Sequence, residues 1–304
     1  MVKSLLIILA FSFSLSPIYG QRQKLLEFDY NHADSVAINY PKGRYDDAAL
    51  LAKSLCEDLN SEQEKFRVIF RWITENIEYR YGRDGTDANE ILKKKKAVCE
   101  GYSSLLEAMC HAVELKCETV IGFAKSNPNS DIPNKMKEPD HAWNAIFLAG
   151  EWILVDATWA SGTVDPKRRK FEQSFQAEWF LADPNFFIHT HYPISERWLL
   201  NDVPLKKKEF KKGPILSSSG YDMSIKIMSK KKGVVGNKMK LEFGSIEEIQ
   251  WASIKFINEK EPIGILLVKH GTYYEIRHEF EKGQKGGFYL FLNGSAALSF
   301  IKQD

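Results

Sequence analysis

The sequence predicts an α+β protein in which a mixed helical and hairpin region is followed by a β-sandwich of immunoglobulin-like kind. Apolar residues recur at helical spacing through much of the first 113 residues. Residues 141–159 form two extended apolar stretches around a glycine turn, which is typical of a β-hairpin. From about residue 215, short apolar stretches alternate with Gly, Asn and Lys, a pattern that favours a sandwich.

Composition limits the class of protein. The chain has 304 residues, of which 44% are hydrophobic and 27% charged, so it can form one large or two modest domains. Its formal net charge of +2 gives no case for nucleic acid as a partner.

The first 20 residues predict a cleaved signal peptide, on the basis of Lys3, a short apolar run and Gly20. The apolar run is shorter than the ~20 apolar residues of a membrane span. We expect a secreted or periplasmic protein without a membrane span.

Spacing and caps place the other elements. Ser61 followed by Glu64 is a capping box, and Asp87 can cap a second, shorter helix. The predicted N-terminal elements are a helix over 45–59, a helix over 66–77, a short helix over 87–92, a strand over 118–123 and a loop over 127–140. The predicted C-terminal strands are 221–228, 238–243, 263–269, 273–278, 288–292 and 296–301.

A cysteine stands at the start of an apolar helix in the motif Ala97-Val98-Cys99-Glu100-Gly101-Tyr102. A thiol at a helix N-terminus lies at the positive end of the helix dipole, which favours its thiolate form. Gly101 gives the backbone room for a close approach. Cys99 alone is equally compatible with a small buried core residue, since free cysteine is among the most buried residue types.

The predicted hairpin brings a histidine and a carboxylate together. A turn at Ala149-Gly150 pairs Phe147 with Trp152, and strand alternation then places His141 on the same face as Asp156. A turn of odd length would place the two on opposite faces. We therefore expect a triad in which Cys99 is the nucleophile, His141 the base and Asp156 the acid that orients the imidazole. The alternative is a half-buried His–Asp pair with a structural role.

Three blocks of the sequence resemble the transglutaminase-like superfamily, and within it the kyphoscoliosis peptidase group. They are Ala97 to Tyr102, His141-Ala142-Trp143-Asn144, and Gly150 to Trp159. The resemblance implies a papain-like core, with Cys99, His141 and Asp156 matching the nucleophile, base and orienting acid. The predicted boundaries are a signal peptide at 1–20, an extended lead-in at 21–44, a transglutaminase-like catalytic domain at 45–212 and a β-rich C-terminal domain at 213–304.

No cofactor or metal is predicted. The four cysteines are too few and too irregularly spaced for a disulfide scaffold or a zinc site, although Cys110 could pair with Cys117 or with Cys56. No run of acidic residues has calcium-loop spacing. His189 and His191 lie near Asp183 and Asp202, but two histidines without further ligands favour surface or packing roles.

The predicted reaction is thiol-dependent acyl chemistry on protein or peptide amides through a thioester. Hydrolysis is preferred over transfer to an amine, because water is the default acceptor. The backbone N–H of Cys99 is one expected oxyanion donor, and a side chain from 79–89 would supply the other. The partner is therefore a protein or peptide substrate, and the sequence predicts no oligomeric state. The alternative is a catalytically silent transglutaminase-like scaffold or binding protein.

Overall fold

The computed structural model describes residues 17–82, 85–132, 136–165, 170–201, 205–229 and 232–303. The helices are α1 Pro17–Leu26, α2 Asn31–Asn39, α3 Ala48–Leu55, α4 Glu62–Asn76, α5 Ala88–Lys94, α6 Cys99–Ala112, α7 Pro128–Asp131, α8 Ala157–Ala160, α9 Pro184–Phe187, α10 Lys207–Lys212 and α11 Ser218–Asp222. The strands before residue 200 are β1 Glu78–Tyr79, β2 Lys96–Ala97, β3 Cys117–Ala124, β4 His141–Leu148, β5 Glu151–Val155, β6 Gly162–Asp165, β7 Lys170–Gln173 and β8 His191–Pro193. The later strands are β9 Ile215–Leu216, β10 Lys226–Ile227, β11 Val234–Val235, β12 Lys238–Gly244, β13 Ala252–Phe256, β14 Ile263–Ile265, β15 Leu267–His270, β16 Tyr273–Glu279, β17 Gly286–Leu292 and β18 Ser295–Lys302.

The predicted helix caps are confirmed. Ser61 precedes α4, and its hydroxyl accepts from the N–H of Glu64 at 3.2 Å and donates to the Glu64 carboxylate at 2.7 Å. Asp87 precedes α5 and accepts from the N–H of Glu90 at 2.8 Å. Both caps satisfy N–H groups that a helix leaves unpaired at its first turn. They fix where the two helices that flank the approach to Cys99 begin.

An antiparallel sheet in the order β5-β4-β3-β8 carries the predicted hairpin. Helix α6 packs against β3 and β4, and the surrounding core extends from Leu25 to Trp198. In the hairpin, Phe147 pairs with Trp152 and Leu148 with Glu151, which leaves a two-residue turn at Ala149 and Gly150. The predicted register is therefore confirmed.

The predicted extended lead-in at 21–44 is wrong, because most of it is helical. Helix α2 buries only the small side chains of Ala33 and Ala37, which pack toward α4. Arg67 of α4 donates to both carboxylate oxygens of Asp34, at 2.6 and 2.8 Å. A helix held by two alanines and a long-range ion pair carries almost no apolar periodicity, so the sequence pattern did not reveal it.

The C-terminal region has two sheets around a second core that runs from Leu216 to Phe300. One sheet has the order β10-β12-β16-β15, and the other has the order β11-β18-β17-β13-β14 with β9 paired to β18. The predicted strand 221–228 is wrong over its first half, since Ser217 accepts from the N–H of Gly220 and caps α11. The predicted strand 263–269 divides at Leu266, where the chain changes from one sheet to the other.

Two further predictions concern export and the cysteines. The predicted signal peptide falls mainly on residues 1–16, which lie outside the described residues. Within the described part of the chain, no helix combines the length and apolarity that a bilayer crossing requires. All four cysteines are free thiols, so neither predicted pairing of Cys110 forms a disulfide, and the buried side chains of Cys110 and Cys117 lie close enough to interact.

Candidate active site

Cys99 is the first residue of α6, with Val98 as its N-cap. The short strand β2 leads directly into it, and the Cys99 side chain is half-buried. A Cβ at position 101 would lie 2.9 Å from the Cβ of Ala97 and 3.2 Å from Cδ1 of Ile91. Only glycine therefore allows the first turn of α6 to pack so closely against β2 and α5. The predicted close approach at Gly101 is therefore confirmed.

His141 and Asp156 meet across the hairpin, as the sequence predicts. His141 is the first residue of β4, Asp156 follows β5, and the hairpin register places them on one face. Nε2 of His141 lies 2.6 Å from Oδ2 of Asp156, and both side chains are buried. A short bond of this kind in a low-dielectric site is a strong charge-assisted interaction.

The Cys99 thiol lies close enough to the same imidazole for the two groups to interact. Because Nε2 of His141 faces Asp156, Nδ1 is the nitrogen left for the thiol. Burial lowers the pKa of His141, but the charge and hydrogen bond of Asp156, together with the interaction with Cys99, outweigh burial and raise the pKa to about 10. The imidazolium form is thus favoured at neutral pH, between a sulfur and a carboxylate.

Asp156 is held in its ionised form by three donors. Its Oδ1 accepts from the N–H of Trp159 at 2.9 Å, which makes it the N-cap of α8. Its Oδ2 accepts from His141 and, at 3.1 Å, from Nε2 of His191. Burial acts to raise the pKa of Asp156, but the His141 charge and these hydrogen bonds hold it well below its usual range.

His191 is the site residue that the sequence did not reveal. The prediction of a surface or packing role is wrong about the surface, since the ring is fully buried. It stacks on Phe187 at a centroid distance of 3.9 Å and lies 4.4 Å from Trp159. Strand β8 brings it here by pairing Ala124 with His191. The contact joins Asp156 to a residue 35 positions later in another strand, so no local pattern could indicate it.

We expect the buried neutral His191 to make the folded protein acid-sensitive. Burial lowers the pKa of His191 to about 4. Between about pH 6.5 and 4 the unfolded chain therefore binds a proton that the folded chain does not, so stability falls as pH falls through this window. Chemical denaturation across this pH window should show that the free energy of unfolding of His191→Gln falls less steeply with decreasing pH than that of the wild type. His32→Gln changes an exposed histidine and is the control, so its free energy of unfolding should fall as steeply with pH as that of the wild type. An unchanged slope in His191→Gln would contradict this role of His191.

Among the described residues, His141, Asp156 and His191 are the one group of three that could hold a metal, with ligand atoms within 4.8 Å of one another. However, both Nε2 atoms already face the same oxygen of Asp156. A metal would have to displace both hydrogen bonds, so the donor set fits proton chemistry better than metal binding.

Comparison with known proteins addresses the family. Residues 50–157 match the family described as the transglutaminase-like superfamily. This segment is a transglutaminase-like domain. It contains Cys99, His141 and Asp156, while His191 lies outside the matched range. The resemblance on which the sequence prediction rested is therefore confirmed at the level of the domain.

Several curated proteins are similar to this chain in sequence. Kyphoscoliosis peptidase of Mus musculus is 34% identical over 178 residues, which cover 57% of this chain and 27% of that protein. Hillarin of Drosophila melanogaster is 26% identical over 205 residues, which cover 62% of this chain and 25% of that protein. The chain thus spans about a quarter of the length of these curated relatives. The crystal structure of a TGase aligns at 15% identity with a TM-score of 0.29, covering 54% of this chain and 42% of that one.

Proposed function

We propose that the protein is a thiol-dependent acyl hydrolase that cleaves amides in proteins or peptides. The observation that carries this proposal is the position of His141, between the thiol of Cys99 and the carboxylate of Asp156. A thiol, an imidazole and a carboxylate in line are the groups that nucleophilic catalysis requires. The name of the mouse relative, kyphoscoliosis peptidase, supports the same chemistry.

The high pKa of His141, about 10, indicates how the protons move in this mechanism. The Cys99 thiolate attacks the amide carbon and forms a carbon–sulfur bond. The His141 imidazolium gives its Nδ1 proton to the leaving amine as the carbon–nitrogen bond breaks. The neutral imidazole then takes a proton from water, which attacks the thioester and releases the acid and the thiolate. Asp156 keeps the Nε2–H of His141 oriented throughout.

The negative oxygen that forms on the attacked carbon requires hydrogen-bond donors. Cys99 is the first residue of α6, where N–H groups have no partner within the helix. Tyr79 is the second donor that we propose, because it comes from the expected segment and lies close enough to Cys99 for their charges to interact. Asn89, at the other end of that segment, is engaged elsewhere, since its Oδ1 accepts from the N–H of Ala48 at 2.8 Å.

Removal of the Tyr79 hydroxyl should therefore slow catalysis. Tyr79→Phe keeps the ring and loses one donor, for which we expect a fall in kcat on the order of 10²-fold with little change in KM. Tyr81→Phe is the matched control, because this ring is exposed two residues further along the chain. Steady-state kinetics on the same peptide would measure both. Equal kcat values for the wild type and Tyr79→Phe would exclude Tyr79 as an oxyanion donor.

The reaction itself is tested by incubating the protein with a broad peptide library and a labelled primary amine, followed by mass spectrometry. Cleaved peptides that depend on Cys99 are the expected result. Amine adducts without cleavage would indicate a transferase instead of a hydrolase, and deamidated glutamine without cleavage would indicate an amidase. No modified peptide of any kind would favour a catalytically silent scaffold.

We also propose that the C-terminal region is an immunoglobulin-like sandwich. One sheet of an immunoglobulin-like sandwich holds strands A, B, D and E in the spatial order A-B-E-D. Here the four strands β10, β12, β15 and β16 match A, B, D and E, because their spatial order is β10-β12-β16-β15. Strands β13, β14, β17 and β18 match C, C′, F and G in the other sheet. This division between two sheets with one common core supports the proposal.

A further inference from the structure

A cleft of about 490 Å³ lies next to the strand that leads into Cys99. One wall is β1 and the residues after it. Strand β1 pairs with β2, and the N–H of Arg80 donates to the carbonyl of Ala97 at 3.0 Å. The other wall is the β6–β7 hairpin, which follows the helix that Asp156 caps. Both walls are thus continuous with segments that hold the proposed triad.

The floor of the cleft is apolar. Tyr79, Val164 and Phe171 line it, and all three are half-buried. The rings of Tyr79 and Phe171 lie 6.4 Å apart, and Tyr81 approaches Tyr79 edge-on at 5.6 Å. Partly exposed aromatic rings in a concave surface provide contact area for an aromatic or large aliphatic side chain.

The rim of the cleft is basic. The exposed side chains of Arg80 and Lys170 line it. Glu78 is the acidic residue among those that line the cleft, and it forms an ion pair with Lys96 at 3.1 Å. The described residues that line the cleft therefore include two basic side chains and one acidic side chain.

We propose that this cleft binds an acidic polypeptide segment that carries an aromatic or large aliphatic side chain. Under the proposed function, on which this assignment of a substrate class rests, the bound segment adjoins the amide that Cys99 attacks. The apolar floor takes the large side chain, and the basic rim faces the acidic neighbours. Exposed charges of this kind favour one partner over another and are screened by salt. A nucleic acid would also suit a basic rim, but a site beside a thiol–imidazole pair fits a partner with an acyl carbon.

The test measures binding without turnover, so that it is independent of the catalytic proposal. The full chain carrying Cys99→Ala is titrated into a fluorescein-labelled nonapeptide of glutamates around a central phenylalanine, and anisotropy is recorded. The same peptide with lysines in place of the glutamates, and a nine-nucleotide oligo-dT, are the comparison probes. The double variant Arg80→Glu with Lys170→Glu reverses the rim charge. Lys260→Glu with Lys282→Glu makes the same change in net charge at exposed positions of the C-terminal region.

We expect the acidic peptide to bind at least about tenfold more tightly than the lysine peptide, and to weaken as salt rises from 20 to 300 mM. Reversal of the rim charge should remove this preference, and the control pair should retain it. The proposal would be overturned if the two peptides bound equally or if the acidic peptide did not bind. It would also be overturned if reversal of the rim charge left binding unchanged, or if oligo-dT bound more tightly than the acidic peptide. Failure of the proposed function would appear separately, as an unreactive Cys99 in the wild-type protein.

Discussion

Replacement of Cys99 by alanine should reduce amide cleavage by about 10⁵-fold or more and abolish the covalent intermediate. The reason is that no other described side chain at the site can form the thioester, and loss of a nucleophile from a cooperating triad costs most of the catalysed rate. Steady-state assays measure the rate. Intact-mass spectrometry after an acid quench detects the acyl adduct, which is expected in the wild type and absent in Cys99→Ala.

Cys56→Ala is the matched control for this variant. Cys56 is also a free thiol, but it is buried at the end of α3, where its Sγ lies 3.8 Å from the carbonyl of Lys65. Its removal should leave kcat within about twofold of the wild type, since it has no part in the reaction. Cleavage by Cys99→Ala at a rate near that of the wild type would exclude the thioester mechanism.

Asp156→Asn should lower kcat on the order of 10³–10⁴-fold while the fold is retained. The asparagine oxygen can still accept from the N–H of Trp159, so the cap of α8 survives. The amide nitrogen, however, meets the Nε2 atoms of His141 and His191 where an acceptor is needed. Without the carboxylate, His141 loses the charge and the hydrogen bond that favour its imidazolium form and orient its ring.

The same variant should change the pH dependence of the reaction. In the wild type, activity at high pH is lost as the His141 imidazolium deprotonates, near its pKa of about 10. In Asp156→Asn, this alkaline limb should move down toward the usual histidine value of about 6.5. Profiles of kcat against pH for both proteins measure the shift. A variant with kcat within tenfold of the wild type and an unmoved alkaline limb would contradict the role of Asp156.

Local patterns were sufficient to predict much of the site. The two-residue turn at Ala149-Gly150 fixes the hairpin register, and the register alone places His141 beside Asp156. Helix periodicity after Cys99 predicted that the thiol stands at the start of α6. These contacts depend on residues close together in the sequence, where strand alternation and helix spacing act directly.

Contacts between distant segments could not be predicted in this way. Helix α2 is held to α4 by the pair Asp34–Arg67, and His191 reaches Asp156 only because β8 pairs with β3. In both cases the decisive partner is remote in the chain, so a local sequence pattern does not indicate the contact. Strand β13 was also missed, because four of its five residues are buried and the strand does not alternate between buried and exposed positions.

The central claim is that the Cys99 thiol is activated by His141, and the rate of its alkylation by iodoacetamide between pH 4 and 9 tests this most directly. In the wild type we predict that Cys99 is alkylated faster than a simple thiol at each pH, because the positive charge of the His141 imidazolium lies beside the sulfur. In His141→Ala, alkylation at the same pH should slow to the rate of a simple thiol. Rates in the wild type that match free cysteine at every pH, and do not change in His141→Ala, would contradict the account.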